Sequence, residues 1–138
     1  MSGPALLAVV AALAPSTPVR LTVTFDPGDG RPAQVARLIC RTSGDEVSGF
    51  LRDVGTRRAC RVARRRAAML LHPPDGLHRA CDQTYGGPES ARVRGAIGAM
   101  AVRRRLGRRD GCQIAEWDAL VPLVPAHGTR GVTGAPSG

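Results

Sequence analysis

Two segments of alternating hydrophobic and polar residues follow one another in the first third of the chain. Val19–Phe25 alternates and is rich in β-branched residues, and Val35–Cys40 alternates again. Alternation with β-branched side chains is typical of strands that are buried on one face. The sequence Asp-Pro-Gly-Asp-Gly at residues 26–30 is a strong turn signal. We therefore expect these two segments to pair as antiparallel strands.

The middle of the chain predicts a loop and then a helix. Thr42–Thr56 is polar and rich in glycine, which indicates a loop. In Arg57–Leu71, alanine, valine and leucine recur at helical spacing, while arginine occupies much of the rest. This helix must end before Pro73 and Pro74, because proline cannot continue a helix.

The second half of the chain predicts two more strands and a short helix. Cys81–Glu89 has no regular pattern. Ala91–Gly98 and Ala99–Leu106 indicate two strands around a tight turn that contains glycine. Ile114–Leu120 predicts a short helix carrying Trp117, the only tryptophan. We expect its indole to lie in the core, because aromatic side chains bury large areas and this chain has few of them.

Four cysteines, Cys40, Cys60, Cys81 and Cys112, bear on how such a chain is stabilised. Aromatic residues make up only 3% of the sequence, and small domains with a light core commonly need covalent cross-links. The sequence has no C-x-x-C, so the usual zinc and thioredoxin-like signatures are absent. An even number of cysteines in a small exported chain indicates two disulfides. Three pairings are possible, and the nearest-neighbour pairing closes two loops of moderate length; four free thiols in a cytosolic protein are the alternative.

The N-terminus has the pattern of an export signal. Ala5–Ala14 is an uninterrupted apolar run, too short to span a bilayer and of the length of a signal-peptide core. We predict a signal peptide over residues 1–18, one domain over residues 19–124 and a disordered tail over residues 125–138, where Pro, Gly, Ser and Thr dominate. The expected location is extracellular, with no membrane association after removal of the signal.

The charge of the chain is strongly positive, at +9, and every basic residue is arginine. Lysine and asparagine, whose codons are rich in A and T, are both absent, so part of this charge reflects genome composition. We interpret Arg64–Arg66 and Arg103–Arg105 as solvated faces of a helix and a strand. Few aromatic residues are present to stack on bases, so no specific nucleic-acid partner is expected. The charge still permits binding to acidic surfaces.

Signatures of catalysis and of metal binding are absent from the sequence. There is no G-x-S-x-G, and no serine, histidine and acid are placed so as to suggest a triad. His72, His78 and His127 are scattered, without the spacing of metal ligands. We therefore predict a protein that is not an enzyme and that needs no metal or cofactor.

Taken together, the order of these features resembles the subtilisin-inhibitor-like family of actinobacteria, over roughly Val19–Leu120. The first half contributes the early strands and the Ala59-Cys60 pair at the head of a helix. The more specific part is Cys81 followed by Tyr85 four residues later, and then Asp110-Gly111-Cys112. The segment Val93-Arg94-Gly95 lies between them at a matching position.

The resemblance implies an α+β fold with a single antiparallel β-sheet of about five strands and two helices packed on it. It also implies the disulfides Cys40–Cys60 and Cys81–Cys112. Members of this family are typically homodimers that pair through their sheets, so a homodimer is expected.

The resemblance further implies a secreted inhibitor whose partner is an extracellular subtilisin-like serine protease. An exposed loop of the family enters the protease cleft in an extended form and is cleaved very slowly. Matched residue by residue, the reactive loop comprises Cys81, Asp82, Gln83, Thr84 and Tyr85. Gln83 would occupy the specificity pocket, and the scissile bond would be Gln83–Thr84. A loop tethered at Cys81 has little conformational entropy left to lose on binding.

Tyr85 and the two glycines that follow it lead to further predictions about the loop. Tyr85 would either anchor the far side of the loop by packing on the scaffold or contact the protease. The consecutive glycines Gly86 and Gly87 predict a flexible segment beyond it. The alternative function is a non-inhibitory secreted binding module of the same fold, which uses an arginine-rich surface to hold acidic partners.

Overall fold

A single antiparallel sheet forms the frame of the structure. The computed structural model describes residues 16–72 and 80–127; the predicted signal peptide, apart from its last three residues, and most of the predicted tail lie outside them. The sheet has five strands: β1 (Val19–Asp26), β2 (Gln34–Cys40), β3 (Glu46–Ser48), β4 (Ser90–Ile97) and β5 (Met100–Leu106). Their order is β3-β2-β1-β4-β5, and all neighbours are antiparallel. This confirms the expected α+β fold class.

The alternation read from the sequence decides which side of the sheet faces the core. Val23 of β1 lies opposite Ala36 of β2 and Val93 of β4, and all three are fully buried. Side chains at alternate positions of a strand point to opposite faces of the sheet. We call the face with the buried residues the inner face and the opposite face the outer face.

The helices of the domain pack against the inner face. A 3₁₀ helix spans Gly49–Arg52, and the α-helices are α1 (Thr56–Arg65), α2 (Ala67–Leu71) and α3 (Gly111–Leu120). α1 contacts β2 and α2 contacts β5, so this pair crosses the sheet. Ala63 of α1 and Leu70 of α2 are buried beneath it.

Trp117, Phe25 and Phe50 pack together in the core, as expected for Trp117. Trp117 is 1% exposed, and its ring meets the edge of Phe25 at a centroid distance of 6.1 Å. Phe25 in turn packs edge-on against Phe50 at 6.4 Å. Aromatic pairs in this geometry add about 0.5–1.5 kcal/mol each beyond the area they bury.

Two disulfides join elements that are distant in the sequence. Cys40–Cys60 links the end of β2 to α1, with the Cα atoms 5.8 Å apart. Cys81–Cys112 links the irregular segment to the first turn of α3, with the Cα atoms 5.3 Å apart. The disulfide prediction and the nearest-neighbour pairing are confirmed, and the alternative of four free thiols is wrong.

Several predicted element boundaries are wrong, for identifiable reasons. The loop predicted over Thr42–Thr56 contains β3 and the 3₁₀ helix; β3 has only three residues, too few for alternation to show. The helix predicted over Arg57–Leu71 is two helices, with Arg66 between them at φ −98° and ψ 17°. Neither proline nor glycine stands there, so the sequence carries no signal for the break.

The C-terminal part of the domain is also more ordered than predicted. α3 begins at Gly111 instead of Ile114, because Asp110 caps it by accepting a hydrogen bond from the Gln113 N–H at 2.8 Å. The carbonyl of Pro125 accepts a hydrogen bond from the Trp117 indole N–H at 2.8 Å. Pro125, the first residue of the predicted tail, is therefore bound to a core residue. Among the described helices, none has the length and apolar character needed to cross a membrane.

Candidate functional site

The predicted reactive loop lies in an exposed segment without regular secondary structure. The chain leaves the Cys81–Cys112 disulfide and enters β4 at Ser90. All four residues of Asp82–Tyr85 are exposed, so the predicted scissile bond is open to solvent. The Gln83 side chain makes only a long hydrogen bond of 3.4 Å, from its amide nitrogen to the Cys81 carbonyl.

Backbone hydrogen bonds fix this loop on both sides of the predicted scissile bond. On the N-terminal side, the Gly111 N–H donates to the Asp82 carbonyl at 3.0 Å. On the C-terminal side, the Gly86 N–H donates to the Arg108 carbonyl at 2.7 Å. Arg108 lies between β5 and α3, and Gly111 is the first residue of α3. The three residues Gln83–Tyr85 therefore project between two fixed points.

The Asp82 side chain spans the predicted scissile bond. Its Oδ1 atom accepts a hydrogen bond from the Thr84 N–H at 3.0 Å. Hydrogen bonds from the side chain and the backbone of Thr84 lower the pKa of Asp82 below its ordinary value of 3.8. The carboxylate is thus charged at neutral pH and remains an acceptor for the amide nitrogen that cleavage would release. An acid two residues before a threonine favours such a local turn, and this pattern was present in the sequence.

Two glycines allow the loop to lie close to the scaffold. A Cβ atom on Gly111 would overlap the carboxylate of Asp82. A Cβ atom on Gly86 would lie 2.7 Å from Cγ1 of Ile114, closer than real Cβ contacts come. The expected flexibility of the segment after Tyr85 is therefore wrong at Gly86, which is held by hydrogen bonds and packed against α3.

Arg108 is the residue that connects the loop to the core, and the sequence interpretation missed it. Its side chain is buried, and Nε donates to the Gly86 carbonyl at 3.3 Å. The guanidinium also forms ion pairs with Glu89 and Asp118, both at 3.3 Å, and lies 5.8 Å from the centre of the Trp117 ring. A buried charge needs such partners to offset its desolvation. Among twenty arginines, nothing in the sequence marks this one as buried.

Tyr85 does not pack on the scaffold. Its side chain is 63% exposed, so the expected anchoring role is wrong. The anchoring function belongs to Gly86 and Arg108 instead. Tyr85 stands two residues beyond Gln83 and presents its ring to solvent, where a partner protein can reach it.

One group of potential metal ligands lies beside the loop. Single ligand atoms of Cys81, Asp110 and Cys112 are all within 4.8 Å of one another. Both sulfurs are joined in the disulfide, and metal binding by cysteine requires thiolates. This group therefore lacks the chemistry of a metal site.

No known family model matches this chain, and a search of curated proteins found none that matches it. The relation to the subtilisin-inhibitor-like family therefore remains a hypothesis. Its support is the cysteine order, the fold that the resemblance implied and that the structure has, and the loop described above.

Replacing Arg108 should loosen the loop and destabilise the domain. In Arg108→Ala, we expect the free energy of unfolding to fall by about 3–5 kcal/mol, because largely buried Glu89 loses its guanidinium partner. Hydrogen exchange at the Gly86 amide should also accelerate. Urea denaturation and NMR would measure both effects. The control is Arg109→Ala, at an exposed neighbour, with an expected change within about 0.5 kcal/mol. Equal effects of the two substitutions would refute the role assigned to Arg108.

The turn at Asp82 should depend on pH. Because the pKa of Asp82 is lowered in the folded protein, the stabilisation from the charged acceptor is present above 3.8 and disappears as the pH falls through the lowered pKa. NMR titration should show the Asp82 carboxyl and the Thr84 N–H titrating together. Thr84→Val should raise the pKa of Asp82 towards its ordinary value, whereas Thr24→Val, in the sheet, should not. An ordinary pKa in the unmodified protein would contradict the observed geometry.

Proposed function

We propose that this protein is a secreted inhibitor of subtilisin-like serine endopeptidases, with Gln83–Thr84 as its reactive bond. The observation that carries the proposal is the exposed segment Gln83–Tyr85 held between backbone anchors at Asp82 and Gly86. Proteases of this class bind their substrates as extended, exposed segments. The two disulfides support an extracellular location, since disulfides persist in oxidising compartments.

The fixed loop explains how binding would be strong. A flexible substrate loses conformational freedom when it enters a protease cleft, and this loss weakens binding. Here the disulfide at Cys81 and the Arg108–Gly86 hydrogen bonds have already ordered the loop in the free protein. Less free energy is therefore lost in ordering the loop on binding, and the affinity for the protease is higher than that of a flexible segment.

The same contacts explain how cleavage would be slow and reversible. Attack of the protease serine on the Gln83 carbonyl gives an acyl-enzyme and leaves Thr84 with a free amine. In an ordinary substrate this amine diffuses away before water attacks the ester. Here Asp82 holds the Thr84 nitrogen, and Gly86 is fixed two residues later. The amine stays beside the acyl group, so re-formation of the peptide bond competes with hydrolysis.

Specificity would depend on two exposed side chains. Gln83 is polar and uncharged, so it fills a large apolar pocket poorly and offers no ion pair to an acidic one. Tyr85 lies on the leaving-group side and is 63% exposed. An exposed, rigid aromatic side chain is suited to contact with the protease rim.

Titration of subtilisin with the oxidised protein tests this proposal. We expect activity to fall in proportion to the inhibitor added, and mass spectrometry to show one slow cleavage at Gln83–Thr84. Gln83→Met should lower the inhibition constant about tenfold, because a gain of roughly 1–3 kcal/mol is typical of a better apolar fit in such a pocket.

The matched control is Gln34→Met, which changes a glutamine of β2 outside the loop and should leave inhibition unaltered. Rapid degradation by subtilisin, or the absence of any interaction, would contradict the proposal. An unchanged inhibition constant for Gln83→Met would exclude this loop as the reactive one.

A further inference from the structure

The outer face of the sheet carries an array of arginines that no consecutive run in the sequence reveals. β1 and β2 contribute one each, and β4 and β5 contribute two each. All of them are exposed and occupy outward positions of their strands. The six, which we call the arginine face, are Arg20, Arg37, Arg92, Arg94, Arg103 and Arg105.

The strand register brings these charges close together. Arg94 lies opposite Arg103, and Arg92 lies opposite Arg105. Neighbouring strands are about 4.8 Å apart, and alternate residues along a strand are about 6.7 Å apart. Like charges at such cross-strand positions destabilise a sheet. The four arginines of β4 and β5 lie next to one another despite this repulsion, and such a surface is suited to an extended anion that contacts all of them.

The protein itself does little to neutralise the arginine face. Within residues 16–72 and 80–127, none of its six members forms an ion pair or donates a side-chain hydrogen bond. Glu46, on an outward position of β3, is paired with Arg41 at 3.4 Å. Asp26, at the end of β1, accepts a hydrogen bond from the Gly28 N–H. Arg104 differs from both neighbours, because it points to the inner face and pairs with Glu116.

The side chains between the arginines indicate what kind of anion fits. Thr22 of β1 lies between Arg37 of β2 and Arg94 of β4. Thr24 lies between Val35 of β2 and Arg92 of β4, and both threonine hydroxyls can donate to phosphate oxygens. Ala96 and Ala101 fill the next outward positions of β4 and β5. Among the described residues, no aromatic side chain lies among these positions, so bases have nothing to stack on. Nor do they offer the aromatic anchor that a protein partner would need.

We infer that the arginine face binds a linear inorganic polyphosphate chain. Guanidinium groups match the geometry of phosphate oxygens and form paired hydrogen bonds with them. A single phosphate would neutralise only one or two of the arginines, whereas a flexible chain can follow the array across four strands. A nucleic-acid duplex is a convex rod, and this flat face presents no element that could enter a groove.

A second copy of the chain is the competing occupant, because family resemblance implies sheet-to-sheet pairing. Packed sheets lie about 10 Å apart. Pairing through the outer face would place six arginines of each copy against six of the other, and among the described strand residues only Asp26 and Glu46 add carboxylates to that face. Charge complementarity therefore favours the polyanion over the second copy. This inference concerns a different surface from Gln83–Thr84 and does not rest on the proposed inhibition.

Binding of full-length oxidised protein to polyphosphate at several salt concentrations tests the inference. The double variant Arg94→Gln/Arg103→Gln should bind about tenfold more weakly and should lose about two from the salt-dependence slope, one for each phosphate contact removed. The matched control is Arg57→Gln/Arg58→Gln, which removes the same charge from exposed positions of α1 and should change affinity less than about twofold. Circular dichroism would verify that both variants fold.

Three results would overturn the inference. Equal weakening in the two double variants would show that net charge alone is responsible. Tighter binding of heparin or duplex DNA than of polyphosphate, at equal charge concentration, would assign the surface to another polyanion. A dimer in sedimentation that Arg94→Gln/Arg103→Gln abolishes would assign it to a second copy. Inhibition of subtilisin should be the same in both variants, so failure of this inference is distinguishable from failure of the proposed function.

Discussion

The attachment of the exposed loop to the core depends on the buried guanidinium of Arg108. It donates to the Gly86 carbonyl, pairs with Glu89 and Asp118, and packs beside the Trp117 ring. These contacts hold the C-terminal end of the exposed loop against the core. The Cys81–Cys112 disulfide fixes the other end of the loop. With both ends fixed, neither new end of a chain cleaved at Gln83–Thr84 could move far, which supports the chemistry proposed for this bond.

The period of two along each strand gives the sheet two chemically different faces. Inward positions hold Val, Leu, Phe and Ala, and bury them beneath the helices. Outward positions of the same strands hold arginine and threonine, together with a few small or aliphatic residues, Val35, Ile39, Ala96 and Ala101. The compositional bias towards arginine thus has a structural consequence, because alternation collects arginines from separate strands on one surface. The loop and the arginine face are therefore separate features of one domain.

The sequence predicted the parts of the fold that follow from local patterns. Alternation located β1 and β2, and the two segments around a glycine-containing turn located β4 and β5, all to within a few residues. The scarcity of aromatics pointed to Trp117 as a core residue. Non-local or very short features were missed, such as three-residue β3 and the break at Arg66. The site shows the same division. The resemblance, carried in part by Cys81 and its spacing to Tyr85, predicted which loop is reactive, whereas Arg108 became visible only through tertiary contacts. The role of Asp82 was missed although it was predictable. Its hydrogen bond to the Thr84 N–H joins residues only two apart, and aspartate commonly forms such a turn.

The most direct test of the central claim is resynthesis of the reactive bond. Protein cleaved only at Gln83–Thr84, with both disulfides intact, would be incubated with a catalytic amount of subtilisin, and intact chain would be measured by mass spectrometry. If the anchors at Cys81, Asp82 and Gly86 hold the new ends together, a substantial fraction of the cleaved protein should become intact again. If none does, the loop is an ordinary substrate, and the anchors do not make its cleavage reversible.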